Sequence, residues 1–267
     1  MHIIVCVKQV PDPESSPSRF VVDEQARRVE PRGVPPVLNP FDENALEAAL
    51  RMKDVHGDGA AVTILTLGHK LSTNLMLKTL GAGGDRLVRI EDDAFAHGQL
   101  DVYATCLALA AAVRKIGPYD LILVGEQAAD SNDRQAGVGI AHVLGIPVVT
   151  MARNLEFRDG EIWADRRLPN RRERVKCPLP AVVAVSSDGA PLRYPSLVQL
   201  KAARSKPVQI WNAQDIGFDA QSSDRRLALR RIYAPRPQQR DCVMIGAESG
   251  EQAGRLLAAK LREDGVL

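Results

Sequence analysis

Asp120-Leu121-Ile122-Leu123-Val124, followed by Gly125-Glu126-Gln127-Ala128-Ala129-Asp130-Ser131-Asn132-Asp133-Arg134-Gln135-Ala136-Gly137, is the stretch that decides the fold. The short apolar run has the composition of a strand buried on both faces of a parallel sheet. The polar, small-residue segment after it leads into Val138-Gly139-Ile140-Ala141-His142-Val143-Leu144-Gly145, whose small and apolar residues suit a helix packed on that sheet. Strand, loop and helix in this order make one half of a βαβ unit. In an open α/β sheet the crevice beyond the strand C-termini is where ligands bind. A loop there offers backbone N–H groups and a helix N-terminus, both suited to phosphate. Taken alone, it reads equally as an ordinary connection closed by Asp and Asn turn chemistry.

The same alternation extends outward in both directions. His2-Ile3-Ile4-Val5-Cys6-Val7, 61–67, 86–90, 120–124 and 147–150 read as strands. Helices are expected from Asp42 to about Val55, from Leu71 to a stop at Gly81, over 101–116 before Gly117-Pro118, and after the loop. Such alternation predicts a mostly parallel sheet covered by helices on both faces. Phe20-Val21-Val22 and Arg28-Val29 flank a small hairpin outside it. Asn39, pushed out of the α region by Pro40, marks a turn. Beyond residue 150 the pattern changes: Leu155 to Arg158 and Glu161 to Ala164 alternate apolar and polar around Asp159-Gly160, a hairpin signal. With Val175 and 180–185 these form an expected antiparallel extension. A short helix spans 197–203, and the remainder is looser, with a break at Ala234-Pro235-Arg236-Pro237 and a final amphipathic helix over 251–263. The division expected is an α/β domain over 1–205 and a C-terminal arm over 206–267.

Composition excludes several classes. A net charge of +2 and 4% aromatic residues argue against a nucleic-acid-binding surface. No apolar run approaches the roughly 18 residues of a membrane helix, so no membrane insertion is expected. No signal peptide is evident at the N-terminus. The four cysteines, Cys6, Cys106, Cys177 and Cys242, form no CxxC pair. A disulfide framework and a metal centre are therefore not expected, and a cytoplasmic setting fits. No GxGxxG follows the first strand, and neither GxxxxGK[ST] nor GxSxG occurs. No catalytic residues stand out from spacing. The basic cluster Arg166, Arg167, Arg171, Arg172, Arg174 and Lys176 is read as a solvated strand face, with steering of acidic partners as the other reading.

Taken together these segments resemble the β subunit of electron-transfer flavoproteins along nearly the whole chain. Val5-Cys6-Val7-Lys8-Gln9-Val10 resembles the family's opening strand. Asn39-Pro40-Phe41-Asp42-Glu43-Asn44-Ala45-Leu46-Glu47 resembles its NP[FY]-x-x-x-A-[LIV]-E element. Gly125 to Asp130, with Gln135 and Gly137, resembles its GxQAxD…Q-x-G nucleotide loop. Leu179-Pro180-Ala181-Val182-Val183 resembles its LPAVV strand, and Pro191 to Leu197 resembles its PRY-x-x-L docking segment, here interrupted by Leu192.

The resemblance implies a Rossmann-like fold of the adenine-nucleotide α-hydrolase type without hydrolytic activity. It implies an electron carrier rather than a stand-alone enzyme: a heterodimer with an α subunit that holds most of the redox FAD, taking electrons from flavin dehydrogenases to a quinone reductase or similar acceptor. An adenine nucleotide is expected in this subunit, AMP in preference to the second FAD of electron-bifurcating relatives. Asp101-Val102-Tyr103-Ala104-Thr105 resembles a segment of those relatives and pulls the other way. Residues 125–137 with Cys6, Asn39, Pro40, Phe41, Asp42 and Thr66, at or beyond expected strand ends, make up the candidate pocket, with Gly137 allowing close approach of its backbone to the nucleotide. Arg193, Tyr194 and Leu197 are the candidate docking residues. The other readings for this fold are a nucleotide-hydrolysing ligase, an ATP-binding stress protein or a ligand-free adaptor. The first needs an SGGxDS-type loop where Lys8-Gln9-Val10-Pro11-Asp12 stands, and the second needs a GxxG…G[ST] loop that Gly125-Glu126-Gln127 does not provide.

Overall fold

The computed structural model describes residues 1–96, 98–219, 226–235 and 242–267; Arg236 and Pro237 of the expected break lie outside them. Two compact units emerge, Met1–Ile232 and Tyr233–Leu267. In chain order the first contains β1 (His2–Val7), β2 (Gln9–Pro11), β3 (Phe20–Asp23), β4 (Arg28–Pro31), β5 (Pro36–Leu38), α1 (Pro40–His56), β6 (Ala61–Gly68), α2 (Thr73–Ala82), β7 (Arg86–Glu91), α3 (Val102–Ile116), β8 (Leu121–Gly125) and α4 (Ala136–Leu144). It continues with β9 (Val148–Arg158), β10 (Glu161–Leu168), β11 (Arg171–Pro178), β12 (Ala181–Val185), α5 (Leu197–Ala203) and β13 (Val208–Trp211). The second unit carries α6 (Gly250–Glu263).

Among the described residues the main sheet has nine strands in the order β11-β10-β9-β12-β8-β1-β6-β7-β13. From β9 to β13 every neighbouring pair is parallel; β10 and β11 extend the β9 edge antiparallel. The fold is the Rossmann-like α/β type with an antiparallel extension. β3 and β4 form the small hairpin outside it. The hairpin at Asp159-Gly160 has positive φ at both residues (52° and 79°), the primed turn that such a pair favours.

Three expectations are corrected. The run 181–185 is not part of the antiparallel extension: β12 inserts parallel between β8 and β9, and all five of its residues are buried, as a strand covered on both faces requires. The second helix does not stop at Gly81. It runs to Ala82 and ends on Gly83 at φ 141°, while Gly81 lies inside it, where a Cβ would meet Leu200 Cδ2 at 2.9 Å and Pro195 Cβ at 3.2 Å. The stretch after 206 contributes an edge strand, β13, paired with β7.

Two apolar layers cover the sheet. Ile3, Val5, Ile64, Leu121, Leu123 and Val183 face α1 and α2 residues such as Leu46, Leu50, Met76 and Leu80. Ile4, Leu65, Ile122, Val124, Val182 and Ala184 face Ala108, Val113, Ile140 and Ala141 of α3 and α4. Alternate residues of each parallel strand thus serve opposite layers, as the pleat dictates. The expected solvated face of the antiparallel edge is an ion-pair lattice: Arg166–Glu173 3.2 Å, Arg167–Asp188 2.5 Å, Arg174–Glu156 2.6 Å and Lys176–Glu161 3.2 Å. Its positive charge is largely matched locally.

Candidate functional site

From β1 the chain crosses to β6 and β7 on one side, then returns to β8 on the other, so the topological switch point lies between β1 and β8. Lys8 follows the end of β1 and Gly125 ends β8. Asp42, in the first turn of α1, spans both: its carboxylate accepts from the Lys8 N–H (2.8 Å) and the Gly125 N–H (3.0 Å). Gly125 is required there, because a Cβ would lie 2.5 Å from Asp42 Oδ1 and 2.6 Å from the Phe41 carbonyl carbon. Burial pushes the Asp42 carboxyl up to about 7, against the opposing pull of its bonds to Asn39, Lys8 and Gly125 and of the Lys8 charge.

Asn39 fixes the loop that follows. Its Nδ2 donates to the Gln127 carbonyl (2.8 Å) and its Oδ1 accepts from the Ala129 N–H (3.1 Å), while its own N–H donates to the Lys8 carbonyl (2.8 Å). Lys8 Nζ pairs with Asp130 at 2.7 Å, and Arg134 Nε donates to Gln127 Oε1 at 2.6 Å. Asn132 and Arg134 take positive φ (55° and 57°). Backbone strain of this kind at a non-glycine residue gathers at functional sites. The N–H groups expected to be free for a ligand are partly committed: that of Glu126 donates to Val185, that of Ala129 to Asn39, and those of Ser131 and Asn132 to Ala128.

What stays open is the helix end. Among the described α-helices, α2, α3, α5 and α6 have side-chain caps from Ser72, Asp101, Ser196 and Ser249. α1 and α4, preceded by Asn39 and Gln135, have none. These are the two helices whose N-termini meet the switch point. At α1 little is left for an anion: Pro40 has no N–H, the Asp42 N–H donates to the Asn39 carbonyl (2.9 Å), and Asp42 and Glu43 lie in the first turn. The first-turn N–H groups of α4, at 136–138, suit one. Two buried side-chain atoms at this edge of the sheet also lack a partner among the described residues: Thr66 Oγ1, near the end of β6, and Glu126 Oε2. A buried polar atom left unpaired is costly, and a ligand can satisfy it.

The structure thus brings Cys6, Asn39, Pro40, Phe41, Asp42, Thr66 and 125–137 to one edge. Gly137 also has a packing role that its place in the sequence did not suggest. A Cβ on it would lie 2.7 Å from Val124 Cγ2 and 3.5 Å from Ala184 Cβ, so it seats α4 on the sheet. Burial, with Asp42 and Cys106 nearby, pushes the Cys6 thiol far above its usual range, which removes it from thiolate chemistry. A cavity of about 210 Å³ opens on the β9 side of β8, lined by Glu126, Arg134, Gly137, Val138, Thr150, Met151 and Ala184. Sequence reasoning missed Thr150, Met151 and Ala184, because they join the edge only through the placement of β9 and β12. From Thr66 on β6 to Met151 on β9 is four strand spacings, about 19 Å.

Arg193, Tyr194 and Leu197 lie elsewhere, around the start of α5. Tyr194, Leu197 and Val198 are 86%, 79% and 76% exposed, whereas the Arg193 guanidinium is engaged by Glu47 and Asp54 of α1.

A family model of the electron transfer flavoprotein domain matches residues 28–216. The chain is 32% identical over 270 residues to the caffeyl-CoA reductase-Etf complex subunit CarD of Acetobacterium woodii, an alignment covering 100% of both proteins. It is 33% identical to protein FixA of Azorhizobium caulinodans, over 97% of this chain and 93% of that one. The chain belongs to the electron-transfer flavoprotein family, and electron transfer is the role this membership supports. Among the described residues, no helix is long and apolar enough to cross a membrane.

Proposed function

We propose that this chain is the β-type subunit of a cytoplasmic heterodimeric electron-transfer flavoprotein, with AMP held across the β1/β8 switch point. The observation that carries the nucleotide reading is the uncapped N-terminus of α4 at that switch point, together with the buried hydroxyl of Thr66, which has no partner among the described residues. The start of α4 would take the phosphate and the crevice by Cys6, Asn39 and Thr66 the nucleoside. In this reading the AMP is structural, and FAD, held mainly by the α subunit, supplies the electron-carrying ring. Residues of this chain shape the crevice, brace its loop through Asn39 and Asp42, and present a docking surface to flavin dehydrogenases through Tyr194 and Leu197. Of the stretch 206–267, the part beyond β13 and the first unit, 233–267, forms the arm that lies on the α subunit, with Leu256 and Leu257 of α6 exposed for that contact. Electrons pass on to a quinone reductase or a similar acceptor.

The segment 101–105 does not weigh against AMP. Asp101 caps α3 through the Ala104 N–H (2.8 Å) and accepts from the N–H groups of Arg226 (2.6 Å) and Leu227 (2.9 Å), while the Thr105 hydroxyl donates to the Asp101 carbonyl (2.8 Å). Its polar side chains therefore have structural work. One observation favours the alternative, a second FAD: the candidate residues span four strand spacings, and the cavity on the β9 side extends the site beyond the crevice. Mass spectrometry of nucleotides released from the denatured, co-expressed heterodimer separates the two. One FAD with one AMP is expected; two FAD would replace AMP by the second flavin, and no adenine nucleotide beyond the α-subunit flavin would overturn the site itself.

A further inference from the structure

Arg193 stands at the head of an exposed apolar platform, and its charge is turned inward. Its backbone N–H and Nε both donate to Glu47 Oε2 at 3.0 Å, and its Nη2 donates to Glu47 Oε1 at 3.1 Å. The far side of the same guanidinium grips Asp54, with Nη1 to Oδ1 at 3.2 Å and Nη2 to Oδ2 at 2.7 Å. Glu47 and Asp54 lie seven residues apart on α1, which places them on one face two turns from each other. Glu47 is buried. Desolvation opposes its ionisation, but the Arg193 guanidinium and N–H, with Arg51, outweigh it and hold the carboxyl below its usual range. Asp54 is lowered as well, first by its hydrogen bond to Arg193. A planar fork used on both edges leaves no bidentate face for a partner's carboxylate.

The segment that follows is braced from the other side. Ser196 and Gln199 form a capping box at the start of α5, and Leu200 and Pro195 close over Gly81 of α2. Lys206 Nζ donates to the carbonyls of Leu80 (2.8 Å) and Gly84 (2.6 Å). Tyr194, Leu197 and Val198 nevertheless stay exposed. A surface that is rigid but uncovered meets its partner with little ordering left to do, which is how preorganisation adds affinity.

We infer that Arg193 is an internal latch: by clamping Glu47 and Asp54 it fixes the path of residues 194–198 against α1, and so acts on docking as a positioning residue rather than as a contact. The inference rests on the docking reading of Tyr194 and Leu197 for its function, but the latch can be judged without it. In the intact heterodimer, amide hydrogen exchange at Ser196, Gln199 and Leu200, whose N–H groups are hydrogen-bonded, should rise about two- to five-fold in Asp54→Asn, the range of an exposed ion pair. It should rise about ten-fold in Arg193→Lys, which loses the fork on a buried carboxylate. The double variant should exchange no faster than Arg193→Lys alone, since both changes break one network. Unchanged exchange in both single variants, or additive effects, would overturn the latch. Turnover with a flavin-dependent dehydrogenase that reduces the wild-type heterodimer adds the functional readout: a latch predicts a raised KM at unchanged kcat for Asp54→Asn. A direct Arg193 contact predicts an unchanged or lowered KM, because the substitution releases the guanidinium. Leu197→Ala in the same assay separates the two layers. If it leaves KM unchanged, the docking reading fails while the exchange data still decide the latch.

Discussion

Replacing Gly125 by alanine tests the join on which the site is built. The new methyl carbon would lie 2.5 Å from Asp42 Oδ1, 2.6 Å from the Phe41 carbonyl carbon and 2.7 Å from Phe41 Cβ. Comfortable carbon contacts begin near 3.5 Å, so the end of β8 and the first turn of α1 must part by about 1 Å. One of the close atoms is backbone and cannot swing aside. The separation also breaks the Gly125 N–H bond to the Asp42 carboxylate, now 3.0 Å. Overpacking costs about 1–3 kcal/mol and the lost charge-assisted bond about 1.5–3, so about 2.5–6 kcal/mol is expected. For a chain of this size that corresponds to a melting point lower by about 5–24 °C. Gly59→Ala is the control, since nothing lies within 4 Å of the position its Cβ would take. Thermal unfolding of the two heterodimers, with nucleotide content measured on each, is the assay. A Gly125→Ala protein that melts within about 2 °C of the control and keeps its nucleotide would refute the claim that α1 and β8 touch here and that the contact shapes the site.

Two further substitutions probe the same edge. Thr66→Val removes a buried hydroxyl without a partner, so the nucleotide-free protein should gain about 1 kcal/mol while AMP affinity falls about five- to ten-fold; an unchanged affinity would remove Thr66 from the site. Asp42→Asn addresses pH. With its folded pKa raised to about 7, Asp42 binds a proton in the native state that the unfolded chain has already released. It therefore makes wild-type stability fall as pH rises from about 4 to about 7, by up to about 4 kcal/mol. Subtracting the urea stability of Asp42→Asn should isolate that slope, and a flat difference across this range would show the carboxyl to be ionised throughout.

The parallel half of the sheet was legible because strands covered on both faces must be apolar along their length. Val5, Ile64, Leu123 and Val183 all fall in such runs. Strand order was not legible from local pattern. The run 181–185 follows a clear antiparallel hairpin in sequence, and only its unbroken apolar character hinted that it returns to the middle of the sheet. The helix stop was misplaced for a related reason: Gly81 and Gly83 look alike in sequence, and what separates them is conformation, since Gly83 takes φ 141° and ends the helix while Gly81 lies inside it with Leu200, over a hundred residues away, pressed against it. At the site, motif reading found Asn39, Asp42 and Gly125 but not why they occur together. That reason is a pair of hydrogen bonds linking residues 83 and 34 apart, which no local periodicity encodes. Thr150, Met151 and Ala184 were beyond reach because their membership depends entirely on where β9 and β12 lie.

Helix α1 runs between the candidate crevice and the exposed platform at 194–198. Its first turn carries Asp42, which ties the ends of β1 and β8, and twelve residues later Asp54 holds the guanidinium at the head of that platform. At 1.5 Å per residue the two carboxylates stand about 18 Å apart along the axis. Between them Ala45, Leu46, Ala49 and Leu50 are buried against the sheet, so the helix has little freedom to bend. The platform's position is defined relative to α1 by Arg193 and relative to α2 by Gly81 and Lys206. On the proposed reading, whatever occupies the crevice and settles the first turn of α1 also settles one of the two supports of the platform at 194–198. A nucleotide with no electron-carrying part to play would then have a physical reason to be retained.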